Sequence, residues 1–107
     1  MHDLAYDELP AIAGNAALNL IRRGADGSLR MSADRWRLVE VHAAAVVFRA
    51  LVEESGEELT LEVPVADVSR VTWDRLPKQQ ARSQLRFHLA SGDLWTFSGA
   101  LTEPSGD

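Results

Sequence analysis

Cysteine is absent from this 107-residue chain, and lysine nearly so, since ten of the eleven basic residues are arginine. The first absence excludes a disulfide framework and any thiolate metal centre, and with them any reading of redox compartment. The second is what a GC-rich genome favours. Long apolar runs are missing too. The longest, Ala43 to Phe48, falls far short of the ~18 residues that a membrane-spanning helix needs. The start carries His2, Asp3, Asp7 and Glu8 in place of the basic start and apolar run of a signal peptide. The expected location is therefore the cytoplasm, with the inner membrane face as a peripheral station.

Catalytic signatures are also lacking. None of Ser28, Ser32, Ser55, Ser69, Ser83, Ser91 and Ser98 lies in a G-x-S-x-G elbow, and most fall at turns, where serine bonds to the backbone. The histidines His2, His42 and His88 stand far apart, without the short spacing of a zinc site. Gly24 to Gly27 lacks the lysine and the following helix of a phosphate loop. The carboxylates Glu53, Glu54, Glu57, Glu58 and Glu62 surround a glycine turn, where solvent covers them and no perturbed acid–base pair forms. The expectation is a protein that is not an enzyme and needs no metal or cofactor. A net charge of −5 argues against nucleic acid as a partner.

What is present is alternation. Leu59, Leu61, Val63 and Val65 alternate with Thr60, Glu62 and Pro64. Leu85, Phe87 and Leu89 alternate with Arg86 and His88, and Trp95 and Phe97 with Leu94, Thr96 and Ser98. A period of two means strands with one face buried. The pattern predicts eight strands in a single domain: 16–23, 28–32, 36–41, 45–52, 58–63, 68–73, 84–90 and 94–100. Two segments balance helix against strand. Asn19 and Ile21 leave 16–23 open, and the three successive alanines Ala43 to Ala45 compete with Val46, Val47, Phe48 and Val52 in 43–52. In the third strand Arg37, Val39 and Val41 share one face. Residues 1–15 read as an arm or a short helix interrupted by Pro10 and Gly14, and residues 102–107 as a disordered tail. Ser91-Gly92-Asp93 is a hairpin loop with Gly92 at positive φ.

Three segments resemble a bacterial pleckstrin-homology-like domain of the GRAM type. They are GSLRMSADR at 27–35, LEVPVADVSRV at 61–71 and LRFHLASGDLWTF at 85–97, the last with Gly-Asp where the family has Asp-Gly. The match covers residues 16–100 and its motifs report turns and core positions. The resemblance implies a mainly β fold, a bent antiparallel sheet or partly open barrel of about seven strands. It also implies a C-terminal helix capping one open end. Here that helix is short or missing, because Pro104 and Gly106 follow Leu101 closely. Residues 1–15 or a second chain are the candidates to plug that end.

The sharpest candidate site is the basic stretch 70–86, with Arg70, Arg75, Lys78, Arg82 and Arg86 set against Asp74 and with Trp73 beside it. Such a loop can hold an anionic headgroup or an acidic peptide. Eukaryotic members of the resembled family often bind phosphoinositides through basic residues near a strand–strand loop, but this stretch belongs to a different hairpin. A second basic group comprises Arg22, Arg23, Arg30, Arg35 and Arg37, offset by Asp26 and Asp34. Trp95, in phase with Phe97, is expected buried; Trp73 is core or rim packing, or an exposed anchor beside Arg75. The function expected is a binding or scaffolding module for protein–protein interaction, self-association included. The alternative is peripheral binding of anionic lipid through 70–86.

Overall fold

The computed structural model describes residues 1–78 and 81–104. It is mainly β, with two antiparallel sheets and no closed barrel. The strands are β1 (His2–Asp3), β2 (Asn19–Arg23), β3 (Leu29–Met31), β4 (Arg37–Val41), β5 (Ala45–Val52), β6 (Glu57–Pro64), β7 (Val68–Arg75), β8 (Ser83–Leu89) and β9 (Leu94–Gly99). One sheet has the order β1-β7-β8-β9-β2-β3, the other β4-β5-β6. All eight expected strands are present, and both ambiguous segments are extended. In β5 the alanines' helical preference loses because β4 and β6 pair with both edges of the strand and bury Ala45 to Phe48.

Among the described residues one isolated bridge joins the two sheets. Leu18 N–H donates to Trp36 O at 2.7 Å and Trp36 N–H donates to Leu18 O at 2.8 Å. The chain therefore leaves β3, turns a corner through Ser32–Arg35 and enters β4 as a continuation of the same edge. Ser32 secures the corner, because its Oγ accepts a bond from Trp36 Nε1 at 3.0 Å.

Aromatic rings fill the space between the sheets. Phe48 of β5 stacks on Phe97 of β9 with centroids 4.1 Å apart, and Phe87 of β8 stands edge-on to both. All three are fully buried, along with Leu18, Leu20, Val46, Val63 and Leu85. Burial of each such side chain contributes about 1.5–3 kcal/mol.

One face assignment is corrected. The β4–β5 register slips between Leu38 and Glu40, so a bulge at Val39 takes up the extra residue. Leu38 and Val41 pack against the core while Arg37 and Val39 are exposed, so the three residues expected on one face are split.

The N-terminal segment packs on the core. A 3₁₀ turn (Tyr6–Glu8) runs into α1 (Leu9–Ala13), with Pro10 in the first turn, where a missing N–H costs nothing. Leu9, Ile12 and Ala13 are buried, and Leu9 belongs to the central cluster. Among the described residues no helix follows β9. Thr102 N–H instead donates to Ile12 O at 2.8 Å, and Pro104 is buried. The tail is thus held as far as Pro104; the rest of the expected tail, 105–107, lies outside the described residues. No helix of the described residues is long and apolar enough to cross a membrane.

Candidate functional site

The stretch singled out in the sequence does not gather into one surface. Arg70, Thr72 and Arg86 lie on the outer face of the larger sheet. There Arg70 is tied to Asp3, with Nη2 at 2.6 Å and Nε at 3.0 Å from Oδ1. Arg86 donates twice to Gln84 Oε1 of its own strand. Arg75 lies on the opposite face near the end of β7, 2.8 Å from Glu103 and over the ring of Trp73. Trp73 is 5% exposed, with the His2 ring against its edge, so it is packing and not an exposed anchor. Its Nε1–H has no hydrogen-bond partner among the described residues. Lys78, at φ 76°, and Arg82 flank the undescribed residues 79–80.

His88 shares the outer face with Arg70 and Arg86. Its ring nitrogen Nε2 lies 2.9 Å from Oγ1 of the buried Thr72. Desolvation, with the two guanidiniums adding to it, pushes the imidazole below its ordinary value, while Asp3 opposes weakly.

Of the other basic group, Arg22, Arg23 and Arg30 line one pocket, whereas Arg35 and Arg37 do not. The turn Gly24–Gly27 closes the β2–β3 hairpin and sets Arg22 opposite Arg30. On the other side of β2, Arg22 lies opposite Trp95 of β9. These three residues therefore share one face. Two residues along the strands, Leu20 and Phe97 on that face are already core. The face runs out of the core into an open pocket of about 480 Å³ between the β2–β3 and β8–β9 turns, which Arg23 also lines. The Arg22 guanidinium sits 4.9 Å from the centroid of Trp95, a cation–π contact. Trp95 is consequently half-buried, contrary to the expectation of full burial. Its inner edge packs on the core and its outer face forms a wall of the pocket.

The rim is built by hydrogen bonds that each engage one oxygen of Asp93 or Asp26. Asp93 Oδ1 accepts Ala25 N–H at 2.9 Å and so ties the two turns together. Asp26 Oδ1 accepts both the Ser28 hydroxyl, at 2.7 Å, and the Ser28 N–H, at 3.0 Å. Those bonds, with a smaller contribution from the Arg30 charge, hold the Asp26 carboxyl below the usual carboxylate range. Gly92 stands at φ 95°, and a Cβ there would come within 3.1 Å of Ala25 Cβ, so the close approach of the two turns needs glycine. Among the described residues Arg22, Arg23 and Arg30 make no ion pair.

Sequence reasoning passed over this pocket, although its signal was present. A hairpin centred on 24–28 forces 22 and 30 to face each other. Among the described residues no group of three or more potential metal ligands gathers anywhere. No protein-family model matches this chain, and neither a curated protein nor a solved structure does.

Proposed function

We propose that this chain is a non-enzymatic, cytoplasmic binding module that holds an acidic protein partner at the mouth formed by Arg22, Arg23, Arg30 and Trp95. The carrying observation is that Arg22 and Arg30, neither in an ion pair among the described residues, share one face with the half-buried Trp95, while Arg23 also lines the pocket. Planar guanidinium forks match carboxylates two bonds at a time. A tryptophan wall adds contact area at small entropic cost. The resemblance to pleckstrin-homology-like domains is consistent with a binding role.

The anionic-lipid reading through 70–86 has less support, because Arg70, Arg75 and Arg86 already have partners on two different faces. Calorimetric titration with a short polyglutamate peptide separates the two sites. The double variant Arg22→Ala/Arg30→Ala should weaken binding by about ten-fold or more, about 1.4 kcal/mol per decade. The double variant Arg70→Ala/Arg86→Ala should leave it unchanged. The opposite pattern would transfer the function to the 70–86 stretch.

A further inference from the structure

The pocket has a neighbour that points to the shape of its ligand. Strand β3 ends the larger sheet, and among the described residues nothing pairs with its far side. The hydrogen-bonded positions of the β2–β3 ladder follow from two observed bonds. Gly24 N–H donates to Ser28 O, and Ser32 N–H donates to Leu20 O. In an antiparallel ladder bonded pairs alternate with unbonded ones. Arg22 and Arg30 are therefore a bonded pair, whereas Ile21–Met31 and Arg23–Leu29 are not. It follows that the N–H and C=O groups of Leu29 and Met31 point away from β2, towards the open edge.

The side chains of those two residues are also uncovered. Leu29 is 58% and Met31 78% exposed, on the face opposite Arg30. A bare edge carrying two large apolar side chains is what sheets ordinarily avoid. Here Arg30 and, one strand in, Arg22 stand on its other face, neither in an ion pair among the described residues.

We infer that β3 is a strand-addition site for an extended segment that alternates acidic and apolar residues, running along Leu29–Met31. The inference rests on the binding role proposed above. Backbone bonds to Leu29 and Met31 supply the pairing. Alternate side chains of such a segment fall on opposite faces. The apolar set then covers Leu29 and Met31, while the acidic set reaches Arg30 and Arg22. A second copy of this chain is the poorer occupant. Antiparallel self-pairing centred on β3 would set Arg30 against Arg30, and like charges directly opposite are destabilising.

The test uses three synthetic peptides and the intact chain. One peptide alternates glutamate and valine. The second has the same composition in two blocks. The third is the alternating peptide N-methylated at every second residue, which keeps the charges and removes the pairing donors. Strand addition predicts that the alternating peptide binds about ten-fold tighter than either control. It also predicts that the Leu29 and Met31 amides become protected from hydrogen exchange only with that peptide. The variant Met31→Pro, whose missing N–H bonds nothing in β2, should fold normally and lose the preference.

Equal binding of all three peptides, abolished by Arg22→Ala/Arg30→Ala, would overturn strand addition and leave the basic mouth standing. No binding of any peptide would bring down the proposed function itself. Protection of Leu29 and Met31 on concentrating the free chain would make a second copy the occupant and overturn the inference. So would loss of the peptide preference in favour of phosphatidylserine vesicles.

Discussion

Gly99 sits in β9 where the chain before β2 crosses it, and a side chain has no room there. A Cβ would lie 2.8 Å from Leu18 Cδ2 and 3.0 Å from the Ala17 carbonyl oxygen. The carbonyl is backbone and belongs to the segment that bridges the two sheets, so it cannot yield easily. Gly99→Ala should cost about 1–3 kcal/mol, as overpacking does, read as a lower urea midpoint at unchanged slope. His88 supplies a second residue-scale prediction. Its folded value lies below the unfolded one, so the native state binds fewer protons between the two. Stability is then full above the unfolded value near 6.5 and falls as pH drops through that value towards the folded one. His88→Gln should flatten the dependence of the melting temperature on pH in this window. A wild-type curve that rises on acidification would contradict the arrangement of Arg70 and Arg86 around the ring.

At the scale of elements, the N-terminal helix is the piece whose role is easiest to measure. Leu9 is fully buried in the central cluster, so Leu9→Ala should cost about 2–5 kcal/mol. A cost near zero would mean that residues 1–15 do not seal the core. The exposed pair Arg75–Glu103 should behave differently. Both side chains are more than half exposed, so Glu103→Gln should change stability by less than about 1 kcal/mol. The strands were legible in the sequence because alternation follows directly from burying one face. β1 was not, since two residues carry no period, and only its register against Thr72 and Trp73 defines it. The bulge at Val39 was hidden for a related reason. Arg37, Val39 and Val41 alternate cleanly, and the slip shows only in the pairing with β5. The candidate site was half legible. The hairpin that faces Arg22 towards Arg30 is written in Gly24–Gly27. Which arginines are free is decided by contacts between residues far apart in sequence: Asp3 with Arg70, Glu103 with Arg75, Ala25 with Asp93.

For the whole molecule, the distribution of charge matters more than its sum. The chain carries a net −5, yet Arg22, Arg23 and Arg30, none in an ion pair among the described residues, line one pocket. An acidic partner of the kind proposed would be attracted to this rim and repelled by acidic surface such as the Glu53–Glu58 turn, which favours a defined orientation. Binding of this kind weakens as salt rises, because the pocket is open to solvent. The most direct test is to map backbone amide shifts by nuclear magnetic resonance while titrating the polyglutamate peptide at low and high salt. The largest shifts should cluster at residues 22–30 and 93–95 and shrink with salt. Shifts centred on residues 70–86, or unaltered by salt, would contradict the basic mouth as the binding site.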